Sequence, residues 1–163
     1  YAELGVLSAA ADPGGLELRP FAVDRLVLVA ARGHRLAAER AVRFAEILDE
    51  PFVGLAEGAL QDHLDARAAM IGGRLKMRIK ARTFEGVTAL VGRGVGIGII
   101  PATAARRTRR RAETAAIRLT DAWTVRRLAV CVAQGAALSP DARSLYAHLA
   151  GSDDALSQPK GER

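Results

Sequence analysis

Short apolar runs alternate along this chain with segments whose apolar residues recur at helical spacing. The runs of strand type are 26–31, 52–55, 95–100 and 128–133. The most regular helix carries Leu60, Leu64, Ala68 and Ile71, and the glycine pair that follows supplies its stop. This alternation is typical of β-α units around a largely parallel sheet, and it therefore predicts an α/β fold.

Three further segments have distinctive patterns. Residues 75–82 alternate apolar and basic side chains with a period of two, which predicts a strand at a sheet edge with one wet face. Ser139 followed by Pro140 predicts the start of a last, docked helix, with apolar residues at helical spacing up to Leu149. Phe44 and Ile47 predict a short helix that ends before Pro51, and residues 16–20 and 26–31 are interpreted as two separate strands.

The size and composition fit one soluble globular domain. The chain has 163 residues, of which 50% are hydrophobic and only 4% aromatic, so aliphatic packing dominates. Its single cysteine, Cys131, lies among aliphatic residues and is expected in the core, which favours a cytoplasmic origin. No apolar stretch approaches the roughly 20 residues of a membrane span, so no membrane partner is expected. We interpret the chain, which begins at Tyr1, as a piece of a longer protein.

The formal charge of +6 is concentrated in one place. Five arginines lie between Arg106 and Arg111, and without them the formal charge falls to +1. A single cluster without interleaved aromatic residues is typical of a solvated helical face or loop, whereas a nucleic-acid footprint is spread over a surface. A contact with a polyanion and a contact with an acidic partner surface remain the alternatives.

The motif search excludes several classes of chemistry. The glycines at 92, 94, 96 and 98 do not form the dinucleotide fingerprint, and we interpret them as a tight turn and close strand-helix packing. The histidines are scattered at 34, 63 and 148 without a metal-ligand spacing, and His63 is expected to be solvated. With no nucleophile motif either, we expect no cofactor, no metal site and no enzymatic activity.

Two strand-to-helix transitions are candidates for a binding site. Residues 55–61 and 83–87 each lead from a strand into a helix, and helix N-termini at the carboxyl edge of a sheet attract anions. Gln61 and Thr83 could orient an anionic or carbonyl-bearing small molecule there, with Phe84 as an apolar wall. The alternative is structural, with Glu57 as a first-turn acid, Thr83 as a cap and Phe84 as core.

Five stretches, in this order and covering most of residues 2–150, resemble the effector-binding domain of LysR-type transcriptional regulators. They are AELGVLS, GLELRPFAVDRLVLVAARGHRLA, VRFAEILDEPFVGLAEG, TFEGVTALVGRGVGIGIIP and RRLAVCVAQGAALSPDARSLYAHLA. The resemblance implies a periplasmic-binding-protein-like (type 2) fold of two Rossmann-like subdomains, one complete and one partial. Residues 24–127 would form the second subdomain, residues 1–23 with 128–150 part of the first, and residues 151–163 a disordered tail.

The same resemblance implies a small effector, such as a carboxylate, bound between the subdomains, which shifts the conformation of a dimer or tetramer. DNA would be bound only through a helix-turn-helix that this chain lacks. The chain departs from the family pattern at Arg35, where proline is common, and at Ala59, where a hydroxyl residue is common. The predicted ligand-binding residues are Ser8, Leu55, Glu57, Gly58, Gln61, Thr83, Phe84 and Ile100.

Two rival functions remain at this stage. An extracytoplasmic solute-binding protein of a transport system would share the fold and the cleft, and its upstream sequence would be a signal peptide. A small α/β enzyme with dispersed catalytic groups would instead show a cluster of perturbed titratable residues in the cleft. The identity of the effector, the target promoter and the sense of regulation lie beyond the sequence.

Overall fold

The computed structural model describes residues 2–8 and 14–151, apart from the side chains of Ser8, Arg109 and Arg110. These residues divide into two compact units. The central unit is Arg25–Thr124, and the terminal unit combines the described residues before and after it. The assignment of these units to the two subdomains of the family stays a prediction, and residues 152–163 of the expected tail lie outside the described residues.

Eight strands and four α-helices make up the regular structure of the described residues. The strands are β1 Gly5–Ser8, β2 Leu16–Ala31, β3 Ala41–Val42, β4 Pro51–Leu55, β5 Lys76–Ala81, β6 Gly98–Pro101, β7 Thr114–Leu119 and β8 Val125–Ala133. The helices are α1 Ala59–Met70, α2 Phe84–Gly92, α3 Ala102–Ala112 and α4 Pro140–Ala150. Short 3-10 segments occupy Arg35–Ala38, Phe44–Ile47 and Ala122–Thr124. The longest of these helices has 12 residues, and no described helix has the length and hydropathy of a membrane span.

Strand β2 corrects the prediction of two separate strands at 16–20 and 26–31. It is continuous over 16 residues because it has partners along its length: β8 is its neighbour on one side, and β6 and β7 pair with its second half. Non-local pairing therefore overrides Pro20 and Asp24, which are poor strand residues by local preference.

The described strands form a mixed six-stranded sheet and a separate parallel pair of β4 and β5, so the prediction of a largely parallel sheet was wrong. β6 and β7 both run antiparallel to β2, and β1 runs antiparallel to β8. The parallel pairs are β3 with β7 and β4 with β5, and Phe52 bridges in parallel to Ile97 just before β6. The antiparallel pairs therefore involve β2 in the central unit and β8 in the terminal unit.

In the terminal unit, α4 begins where the sequence predicts. The hydroxyl of Ser139 accepts from the Ala142 N–H, and Pro140 opens the helix. The apolar face of α4 that was predicted to dock is only partly buried: no residue of α4 is fully buried, and Leu145 is 50% exposed. Among the described residues, this unit offers only three strands for the helix to cover. Asp24 and Arg126 form an ion pair that ties the start of β8 to β2.

Aliphatic side chains fill the core of the central unit, with two phenylalanines among them. Phe44, Ile47, Phe52 and Ile97 are at most 1% exposed, and Val53, Val87 and Val91 form a second cluster under α2. The helix predicted around Phe44 and Ile47 is present as one 3-10 turn.

In the terminal unit, Cys131 is buried in β8 with a free thiol, which confirms its expected place in a core.

The glycine run after α2 serves packing, as expected. A Cβ at Gly92 would lie 1.7 Å from the Ala112 carbonyl oxygen, and one at Gly96 would lie 2.3 Å from the Pro51 carbonyl oxygen. Gly94 adopts a φ of 77°, which favours glycine and closes the turn. These residues allow α2, α3 and β4 to approach closely.

Strand β5 is an edge strand, as its alternation predicts, and it pairs with β4 alone among the described strands. The alternation does not bury every apolar residue, because Ile79 is 43% exposed. Lys76 at its start donates to Asp49 at 2.6 Å.

Candidate functional site

The two strand-to-helix transitions open at the same edge of the central unit. β4 and β5 run parallel, and their last residues, Leu55 and Ala81, are register partners. One residue further on, the Ala56 N–H donates to the Ala81 carbonyl oxygen at 2.8 Å. Helices α1 and α2 therefore both start where neighbouring parallel strands end, which is where open α/β sheets bind ligands.

Each helix begins with a different kind of N-cap. Gly58 caps α1 with a φ of 113°, a conformation that favours glycine, and it has no side chain to offer the first-turn N–H groups. Thr83 caps α2, where its Oγ1 accepts from the Gly86 N–H at 3.0 Å. Thr83 therefore has the structural role that the sequence left open, and its exposed hydroxyl lies at the edge where α1 starts.

Gln61 is a buried strut between strand and helix. Its Oε1 accepts from the Leu55 N–H at 3.1 Å, and its Nε2 donates to Asp65 Oδ1 at 3.1 Å. The side chain is 3% exposed, and a Cβ on Gly54 would come within 2.4 Å of its Oε1. Gln61 thus fixes the place where α1 leaves β4, and its amide is already engaged by the chain itself.

A recess of about 480 Å³ lies at this edge and is lined by Ala56, Glu57 and Arg82. Arg82 is exposed and stands between the end of β5 and the cap of α2. The sequence analysis did not select Arg82, because it continues the basic alternation of the edge strand. Its position directly before a capping threonine was the available signal.

The remaining predicted residues differ in their burial and in the element that carries them. Phe84 is half-buried and packs against both core clusters, as its structural interpretation expects, and its role as an apolar wall stays a prediction. Ile100 is at the same edge, one residue before the end of β6, but it is 0% exposed and belongs to the core. Ser8 ends β1 in the terminal unit, opposite Leu128, and its side chain lies outside the described part of the chain.

The edge around the recess combines one carboxylate with several positive groups. Two helix N-termini carry partial positive charge, and the Arg82 guanidinium adds a full charge, against the exposed carboxylate of Glu57. The carboxyl groups with perturbed pKa values in the central unit lie elsewhere. The Arg43 N–H lowers the pKa of Glu46, and a hydrogen bond from Lys76 lowers that of Asp49, both near the amino end of β4.

The structure corrects the expectation that His63 is solvated. His63 is half-buried on α1 and its ring meets Trp123 edge-on, with the centroids 5.3 Å apart. Phe44 meets the same indole at 5.1 Å, and Arg67 lies over it at 5.5 Å. This cluster closes the face of the central unit beside α1. Among the described side chains, no group of three or more His, Cys, Asp or Glu is placed to hold a metal ion.

Comparisons with known proteins add family and fold. The sequence model of the LysR substrate binding domain matches residues 1–153. No curated protein sequence matches the chain. Among solved structures, the effector binding domain of QuiR in complex with shikimate is similar with a TM-score of 0.75 and 19% identity, over 93% of this chain and 72% of that one.

Two more similar structures extend the comparison. The regulatory domain of CcmR from Synechocystis PCC6803, in complex with 2-PG, has a TM-score of 0.79 and 20% identity over 91% of this chain and 72% of that one. HinK, a LysR family transcriptional regulator from Pseudomonas aeruginosa, has a TM-score of 0.71 and 19% identity, and the chain spans 91% of its own length but 52% of HinK. At these identities the likeness establishes the fold: periplasmic-binding-protein-like.

Proposed function

The chain belongs to the LysR substrate-binding domain family, and from that premise we propose that it senses a small carboxylate at the carboxyl edge of β4 and β5. Family membership favours regulation over the transport alternative. We infer in addition that the domain binds its effector without chemical conversion, and that the parent regulator is a cytoplasmic homo-oligomer that contacts DNA through another segment.

The observation that carries the proposal is that α1 and α2 both start at the edge where β4 and β5 end, beside a recess lined by Ala56, Glu57 and Arg82. Uncapped first-turn N–H groups at Gly58 can donate to an anion, and the Arg82 guanidinium can supply a charge-assisted pair of hydrogen bonds. The ligands in the QuiR and CcmR structures, shikimate and 2-PG, are both small anions. They belong to those proteins, and they support an anionic effector here by analogy alone.

The residues at the edge have distinct roles in this proposal. Glu57 and Thr83 border the ligand, Phe84 and Leu55 form the apolar wall, and Gly58 presents backbone N–H groups. Gln61 acts through position, because its amide already holds α1 on β4. Ser8 stays a prediction, and Ile100, which is 0% exposed, is assigned a supporting place in the core behind the wall.

Thermal-shift and calorimetric titration of the chain with a panel of small carboxylates, shikimate included, tests the proposal. We expect at least one carboxylate to stabilise the chain. Arg82→Gln should weaken the affinity for that carboxylate about tenfold or more, because it removes a charged hydrogen bond. The matched control is Arg93→Gln, an exposed arginine at the other end of α2. Ala59→Ser, which restores the hydroxyl common in the family, is expected to tighten binding.

Two results would overturn the site. One is a panel in which no carboxylate stabilises the wild-type chain. The other is a carboxylate that binds equally well to the Arg82→Gln and Arg93→Gln variants, since its contacts would then lie away from this edge.

A further inference from the structure

Helix α3 concentrates the positive charge of the chain on one face. Ala104, Ala105 and Thr108 are at most 9% exposed and face the core, whereas Arg106, Arg107 and Arg111 are exposed. Arg107 and Arg111 are one helical turn apart, a spacing of about 6 Å at which like charges destabilise a helix. A face of this kind is costly to the isolated helix unless opposite charge lies close by.

The described counter-charge on this face is small. Among the described side chains, Glu85 on α2 is the carboxylate within 4.0 Å of an α3 guanidinium, at 3.8 Å from Arg107. Both partners are more than half exposed, so solvent screens the pair and leaves it weak. Arg106 and Arg111 are in no described ion pair, and the face keeps an excess of positive charge.

This face borders a groove of about 480 Å³ between α2 and α3. The groove is lined by Glu85, Thr88, Ala89, Arg107, Thr108, Arg111 and Ala112. The hydroxyls of Thr88 and Thr108 donate to carbonyl oxygens of their own helices, at 3.0–3.3 Å. The floor of the groove, formed by Thr88, Ala89, Thr108 and Ala112, therefore offers methyl groups rather than hydrogen-bond donors. The guanidinium groups of Arg107 and Arg111 line one side of it.

We propose that the α2–α3 groove docks an acidic segment of a partner protein. The segment would place two carboxylates, one helical turn apart, against Arg107 and Arg111, and a small apolar side chain on the floor between Ala89 and Ala112. The pairing is charge-complementary and covers the apolar floor. The site lies along the length of α2 and α3, apart from the recess at Arg82, and does not depend on the effector proposal.

Nucleic acid fits the groove less well. The floor offers neither hydrogen-bond donors nor aromatic rings for base stacking. A carboxylate-bearing helix tolerates Glu85, because a lysine of the partner can face it. A contact about one helical turn long is small, so binding should be weak and should fall with ionic strength.

Fluorescence anisotropy with a labelled alanine-based helical peptide measures the interaction. The probe carries glutamates at i,i+4 spacing, and a second peptide of the same composition carries them at i,i+2 spacing. We expect the first to bind more tightly, and Arg107→Gln/Arg111→Gln to weaken it about fivefold or more, from two exposed ion pairs. The matched control, Arg40→Gln/Arg118→Gln, removes two exposed arginines elsewhere in the central unit.

A second variant separates groove docking from general charge attraction. Ala89→Leu fills the groove and keeps every charge, so it should reduce binding of the i,i+4 peptide while leaving the i,i+2 peptide unchanged. Ala89 is exposed, and an unchanged melting temperature would verify the fold.

Three outcomes overturn the proposal. The first is equal binding of the two peptides. The second is a labelled 20-base-pair DNA duplex that binds more tightly than the peptide and is released by Arg107→Gln/Arg111→Gln. The third is a chain that self-associates through these arginines and does not bind the peptide, as sedimentation would show.

Discussion

Substitution of Gly92 by alanine tests how closely α2 and α3 pack. A Cβ at this position would lie 1.7 Å from the Ala112 carbonyl oxygen, whereas real Cβ contacts stay beyond 3.0 Å. The helices must therefore separate by at least about 1.3 Å. The obstructing atom belongs to the backbone, so it cannot swing aside as a side chain would.

The expected cost follows from two opposing terms. Overpacking a core costs typically 1–3 kcal/mol, and a backbone obstruction belongs near the upper end, about 3 kcal/mol. Alanine in place of glycine in a helix returns about 1 kcal/mol. The net loss of about 2 kcal/mol in the free energy of unfolding lowers the melting temperature by about 4–8 °C for a chain of this size.

Circular dichroism during thermal and urea unfolding measures the effect. Gly33→Ala is the matched control, because no atom lies within 4 Å of a Cβ there and its φ lies outside the left-handed region. If Gly92→Ala unfolds at the same temperature as Gly33→Ala, or above it, the close approach of α2 and α3 is refuted. The interpretation that Gly92 and Gly96 serve close packing would then be wrong as well.

Two further predictions concern polar contacts. Gln61→Leu removes the side-chain partner of the half-buried Leu55 N–H and of Asp65, so it should lower the free energy of unfolding by about 1 kcal/mol. A urea midpoint equal to that of the wild type would contradict this role of Gln61. Hydrogen bonds from Ser139 lower the pKa of Glu3, so this contact contributes stability above the ordinary pKa of a glutamate and loses it as the pH falls through the lowered value. The protection factor of the Ser139 amide, measured by NMR hydrogen exchange from about pH 6 to 3 and corrected for the pH dependence of the intrinsic exchange rate, should fall in acid for the wild type. Glu3→Gln should remove that pH dependence, and an unchanged profile in the variant would disprove the prediction.

Local sequence signals predicted well that the two strand-to-helix transitions lie at the same edge. Leu55 ends an apolar strand and Ala81 an alternating one, each is followed by a helix start, and parallel neighbours bring such ends together. The start of α4 at Pro140 was equally readable, since Ser139 and Pro140 act on the backbone beside them. Signals of this kind depend on a few adjacent residues, so tertiary context rarely changes them.

Long-range pairing decided the elements that the sequence misassigned. β2 continues through Pro20 because of its neighbours, and no local pattern records which strands will flank it. Helix α3 was left open between helix and loop because its buried face consists of small residues such as Ala104 and Ala105, which give a weak periodic signal. The contact between His63 and Trp123 joins residues that are distant in sequence, so spacing could not reveal it.

Within the site, residue types were easier to predict than roles. Gln61 was selected as a ligand-orienting group, but the structure engages its amide with Leu55 and Asp65. Arg82 was overlooked because its charge continued a pattern that already had an explanation. Both cases depend on side-chain direction, at the first turn of α1 for Gln61 and after the end of β5 for Arg82, which the sequence does not specify.

The contacts of Gln61 fix the position of α1 on β4 independently of the exposed side chains of Ala56 and Glu57. With the helix anchored to the strand by a buried amide, Ala56 and Glu57 carry little of the stability and are free to change, while Gly58 keeps the turn. Under the proposed function, exchange of these two exposed residues would change which effector the domain binds without altering the packing of α1 on β4.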